Sequence, residues 1–75
     1  MFSTDRITEA LTARGRSQAQ TAWREAANLV ATRWQLFLGA ESEGRRWAFA
    51  SYVAALDAEE AAAAQLAELA RPIAA

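Results

Sequence analysis

The fold is decided by residues 43–70, which read EGRRWAFASYVAALDAEEAAAAQLAELA. Alanine and other strong helix formers dominate this stretch, so we expect one long helix that Pro72 prevents from continuing. The helix carries two apolar stripes at helical spacing. One contains Trp47, Ala50, Ala54, Ala58 and Ala61, and the other contains Phe49, Tyr52, Val53, Leu56 and Ala63. A helix with one packing partner shows a single stripe, so two stripes indicate two neighbours.

A second helix is predicted over residues 17–38. Ser17 and Gln20 have the spacing of a capping box, in which each side chain satisfies a backbone donor of the other residue. One broad apolar stripe follows, made of Ala19, Trp23, Ala26, Ala27, Val30, Trp34, Phe37 and Leu38. Gly39 is predicted to end this helix and Ser42 to cap the next one. Because the loop between them is short, the two helices should form an antiparallel hairpin.

A shorter helix is predicted over residues 4–14, ended by Gly15 in a left-handed conformation. The alternative is a single kinked helix over residues 4–38, since a glycine inside a helix costs only about 1 kcal/mol relative to alanine. The first interpretation gives an all-α domain over residues 1–75. It consists of a short N-terminal helix and an antiparallel helical hairpin that dimerises into a helical bundle.

The hairpin seam is predicted to pair large side chains with small ones. A loop centred near residue 42 places Phe37 opposite Trp47, Val30 opposite Ala54 and Trp23 opposite Ala61. Alternation of large and small residues lets two helices interdigitate at the density of a protein interior.

Apolar residues beyond this seam predict an interface with a second copy of the chain. Coiled-coil-like spacings of seven recur on both helices of the hairpin. The predicted interface residues are Leu29, Arg33, Leu36, Phe49, Tyr52, Val53, Leu56 and Glu60. Since a buried charge needs a partner, we expect Arg33 to pair with Glu60 within or across subunits.

The composition argues against catalysis, metal binding and disulfide bonds. The chain has neither cysteine nor histidine, which removes disulfides, the usual zinc and haem ligands and the commonest catalytic groups. We therefore expect no enzyme activity, no cofactor and no metal.

The net charge of −1 provides no field that would attract nucleic acid or an anionic membrane. The longest uncharged run, residues 47–56, is about half of a membrane span. The N-terminal residues lack the pattern of a signal peptide, so a cytoplasmic protein is expected.

Three functional hypotheses follow. The leading one is a self-associating helical module that binds another protein, as an adaptor or regulatory subunit. The second is a small stoichiometric inhibitor, phage-borne or antitoxin-like, which would act through the same surfaces. The third is a nucleic-acid-binding regulator that uses the arginines of the N-terminal third. All eight basic residues are arginine and alanine is abundant, a composition typical of a GC-rich bacterial or phage gene.

Overall fold

A computed structural model describes residues 4–71, with side chains described from Arg6 onward. Helix α1 runs over Thr4–Gly39 (36 residues) and helix α2 over Arg45–Ala70 (26 residues). The two helices pack against each other as an antiparallel hairpin. The all-α prediction is confirmed for this part of the chain, which contains no strand.

Helix α1 passes through Gly15 without a break, so the predicted boundary between residues 14 and 17 is wrong. No glycine among the described residues has a positive φ. Gly15 therefore does not adopt the left-handed conformation that would end a helix. A single glycine costs about 1 kcal/mol, which the good helix formers on both sides offset. The alternative of one helix from residue 4 to the hairpin loop is the correct one.

The hairpin turn is built from backbone hydrogen bonds. The Ala40 N–H donates to the Phe37 carbonyl (3.2 Å), and the Gly44 N–H donates to the Glu41 carbonyl (3.0 Å). Gly44 is the N-cap of α2, and no side chain caps this helix. The prediction that Ser42 is the cap and that the helix starts at residue 43 is wrong, because residues 42–44 are used by the turn.

Helix α2 ends at Ala70, as predicted. Arg71 is extended (φ −63°, ψ 130°), and its N–H donates to the Glu68 carbonyl at 3.3 Å. A residue that precedes proline is disfavoured in the helical conformation, which explains the stop at this position. The Arg71 guanidinium also pairs with the Glu68 carboxylate at 3.2 Å, on the exposed surface.

The seam between the helices is made mainly of small residues. Ala19, Ala48 and Ala55 are the buried hydrophobic residues of the described chain. The stripe predicted on α1 is confirmed at Ala19 and at half-buried Val30 and Phe37. The stripe predicted on α2 is wrong by one position. Its members are exposed, whereas the positions one residue later are buried or half-buried, namely Ala48, Ser51, Ala55, Glu59 and Ala62. The later start of α2 shifts the phase of the helix and explains the error.

The molecule is one helix thick. Its principal extents are 65 × 21 × 12 Å, and its smallest dimension equals the diameter of a single helix. The radius of gyration is 17.9 Å, whereas a compact domain of this length has about 11 Å. Stable domains bury their apolar surface between at least two layers of secondary structure. The hairpin supplies only one layer.

The N-terminal part of α1 extends beyond the end of α2. By register, Ala70 lies near Gly15, so the first three turns of α1 have no α2 residue beside them. Ile7 is 57% exposed and Leu11 is 61% exposed. This segment is part of the continuous α1, so it does not form the separate short N-terminal helix that the sequence predicted.

Candidate interaction surfaces

Four aromatic side chains form a closed cluster near the hairpin turn. Trp34 contacts Phe37 on its own helix, with ring centroids 5.5 Å apart, and Tyr52 on α2 at 5.0 Å. Phe49 contacts Phe37 across the seam at 5.5 Å and Tyr52 at 6.5 Å. All four pairs are tilted, which is a favourable arrangement of aromatic rings. The contacts between α1 and α2 in this cluster define which residues of the two helices lie opposite each other near the turn.

This cluster was not predicted, although the sequence contains its signal. Each helix presents an aromatic pair at a spacing of three, Trp34 with Phe37 and Phe49 with Tyr52, and the two pairs are symmetric about residue 43. A hairpin centred at residue 43 brings such pairs together. The sequence interpretation assigned Phe49 and Tyr52 to the side away from α1, because it centred the loop one residue earlier.

The cluster lies on one of the two broad sides of the hairpin, which we call the aromatic face. Trp23 and Leu38 lie on the same side of α1 as Trp34, and Val53 lies one turn after Phe49 on α2. The members of this face are Trp23, Trp34, Phe37, Leu38, Phe49, Tyr52, Val53 and Leu56. Phe49 is 49% exposed and Trp34 is 39% exposed. The face therefore presents a continuous apolar surface to its surroundings.

The opposite broad side, which we call the leucine face, carries Leu11, Leu29 and Leu36 of α1 and Trp47 of α2. At 100° per residue, Leu29 and Leu36 lie about 140° and 160° around the helix from Trp34, and Trp47 lies about 160° from Phe49. All four side chains are exposed, Trp47 most of all at 68%. Trp47 was predicted to fill the seam, but the phase of α2 turns it outward.

The predicted interface residues divide between these two faces. Phe49, Tyr52, Val53 and Leu56 lie on the aromatic face, with exposed Glu60 at its edge. Leu29, Leu36 and half-buried Arg33 lie on the leucine face. One flat partner surface cannot contact both groups, so the hairpin offers two separate candidate surfaces rather than one.

Arg33 and Glu60 do not pair within the chain. They lie on different faces, and the aromatic register puts Arg33 level with Val53, so Arg33 and Glu60 are about seven residues, or roughly 10 Å, apart along the hairpin axis. Among the described residues the ion pair is that of Arg71 with Glu68. Pairing within one subunit is therefore wrong, and pairing between subunits stays a prediction.

The amount of exposed surface is large for a chain of this mass. The accessible area is 6334 Å². A compact monomer of 8.2 kDa exposes about 4,500 Å², so the excess is roughly 1,800 Å². No large side chain among the described residues is fully buried. Over the described residues the hairpin has two apolar faces, and the buried residues between them are three alanines.

The described residues contain no group of three or more carboxylates, histidines or cysteines close enough to hold a metal ion. Over the same part of the chain, neither helix has a window apolar enough to cross a bilayer. Comparison with protein-family models, with curated proteins and with solved structures returned no match to this chain.

Proposed function

We propose that this protein is a non-enzymatic helical interaction module that associates with itself and binds another protein, as an adaptor or regulatory subunit. The single observation that carries this proposal is the position of the large hydrophobic side chains. Ten of them are exposed, on both broad sides of the hairpin, while the buried positions of the described chain are alanines.

Exposure on this scale is unfavourable for a monomer in water. Monomeric proteins rarely expose contiguous apolar patches larger than a few hundred Å². Aromatic side chains are also enriched at the centres of protein–protein interfaces. Both faces have these properties, which supports one contact with a second copy and another with a different partner.

Mass measurement tests self-association. Multi-angle light scattering of the purified chain at tens of micromolar should return at least twice the mass of 8.2 kDa. Serial dilution should then shift the mass towards that of one chain, because association depends on concentration. A single-chain mass over the whole range would refute the proposal.

The stoichiometric inhibitor and the nucleic-acid-binding regulator remain predictions, since no feature of the hairpin favours either over an adaptor. A gel shift with duplex DNA at low and high salt separates the regulator from the other two, because binding through phosphates weakens steeply with salt.

A further inference from the structure

We propose that the leucine face binds one amphipathic helix of a different protein, and that an acidic residue of that helix pairs with Arg33. This inference rests on the proposed binding of another protein, and it adds the surface and the chemistry of the partner.

The two helices contribute side chains of different size to the leucine face. Helix α1 contributes Leu29 and Leu36, which are 41% and 48% exposed. Helix α2 contributes Ala54 and Ala58, which are exposed and lie within about 20° of Trp47 around the helix, since they follow it by seven and eleven residues. A row of leucines beside a row of alanines leaves a groove over the alanines, with Trp47 at its turn end. A single helix with large apolar side chains fits such a groove.

Arg33 is the charge inside this groove. It lies between Leu29 and Leu36, one helical turn from each, and it is half-buried. No carboxylate of the described residues forms an ion pair with it. A helix that covered the groove would remove Arg33 from much of its remaining water, which is costly for an unpaired charge. The covering helix must therefore supply an acid, and a carboxylate can accept two parallel hydrogen bonds from a guanidinium.

A second copy of this chain does not fit the groove. A two-fold axis parallel to the helices would stack each α1 on the other copy's α2, and it would bring the two Arg33 side chains together near the axis. A two-fold axis across the helices would stack α1 on α1 and α2 on α2. The alanines of the two copies would then face each other, and the space above them would stay unfilled, against the close packing of protein interfaces. The charge and the side-chain sizes therefore favour a different protein as the occupant.

A pair of synthetic peptides tests the chemistry of the partner. Each is a helical peptide of about 21 residues, roughly 32 Å long and therefore shorter than α2. Leucines at spacings of three and four form one apolar stripe, and the central position of the stripe is glutamate in one peptide and lysine in the other. Fluorescence anisotropy of the labelled peptides, titrated with the full chain, gives the dissociation constants. The glutamate peptide should bind saturably and about tenfold more tightly than the lysine peptide. Absence of binding, or equal affinities, would overturn the proposal.

Exchange of the charge separates recognition from folding. Arg33→Glu should reverse the preference, so that the variant binds the lysine peptide more tightly than the glutamate peptide. A variant that had merely lost its fold would bind both peptides weakly. An unchanged preference for the glutamate peptide would show that Arg33 is not the residue that recognises the acid.

A matched pair of variants tests the face. Leu29→Gln on the leucine face should weaken binding of the glutamate peptide several-fold. Val53→Gln, at a position of similar exposure on the aromatic face, should leave it unchanged (41% and 37% exposed). The opposite pattern would place the peptide on the aromatic face and overturn the assignment.

Light scattering of the same samples without peptide separates this inference from self-association. A dimer mass for both the parent and Leu29→Gln, together with binding of the glutamate peptide, supports both proposals. A lower mass for Leu29→Gln would show that a second copy occupies the leucine face, which overturns this inference. A dimer mass without peptide binding would also overturn it and leave self-association intact. A single-chain mass with peptide binding would refute self-association and leave the groove as the partner site.

Discussion

At the scale of single residues, the hairpin depends on alanines that let two helix backbones approach closely. Ala48 and Ala55 are only 3% and 4% exposed, although a methyl group is all that either contributes to the seam. The neighbouring Ala54 is exposed. Position 55 therefore leaves no room for a side chain larger than a methyl group, whereas position 54 does.

Ala55→Leu should lower the free energy of unfolding by about 1–3 kcal/mol, because it forces extra methylene groups into a filled contact. Ala54→Leu is the matched control and should change it by less than about 0.5 kcal/mol, as surface substitutions do. Urea titration followed by circular dichroism at one protein concentration compares the two. Equal losses in both variants would mean that the seam on α2 is not centred on Ala55.

These two alanines also show what the sequence could not decide. The amount of alanine and the stripe on α1 predicted a close helical hairpin, and the burial of Ala19 and half-burial of Val30 agree with that. The choice between Ala54 and Ala55 depended on the number of residues in the turn. Both Ser42 and Gly44 are acceptable caps, so the sequence did not reveal that α2 starts at Arg45.

At the level of the helices, α1 is continuous because the free-energy cost of one glycine, about 1 kcal/mol, is too small to end a helix whose other residues are good helix formers. An added Cβ at Gly15 would meet no atom within 4 Å. The backbone there is helical, so alanine fits without strain.

Gly15→Ala should therefore stabilise the protein by about 0.5–1 kcal/mol, through helix propensity and reduced freedom of the unfolded chain. Gly44→Ala is a useful contrast, because Gly44 is the N-cap of α2 and alanine is a poor residue at that position. Thermal unfolding of both variants beside the parent gives the comparison. A lower melting temperature for Gly15→Ala would contradict a continuous α1.

The sequence predicted most of the residues on the candidate surfaces, but it did not predict which of them lie on the same face of the hairpin. Leu29, Leu36 and Val53 are exposed, whereas Phe49, which the sequence placed away from α1, contacts Phe37 across the seam. Grouping the predicted interface residues into faces requires the rotational phase of both helices. That phase follows from the aromatic contacts across the turn, Trp34 with Tyr52 and Phe37 with Phe49.

At the scale of the whole molecule, the hairpin is a single layer whose apolar residues face outward on both sides. Burial of apolar surface is the main favourable term in folding, and this chain alone buries little of it. Completion by a second copy would supply the missing burial, and stability would then depend on association.

The concentration dependence of unfolding shows whether the stability of the hairpin depends on association. If the hairpin folds as part of a dimer, each tenfold increase in protein concentration adds about 1.4 kcal/mol to the free energy of unfolding per dimer. The urea midpoint and the melting temperature should then rise steadily with concentration. Transitions that coincide at all concentrations, with a single-chain mass, would show that the isolated hairpin is stable and would contradict folding coupled to association.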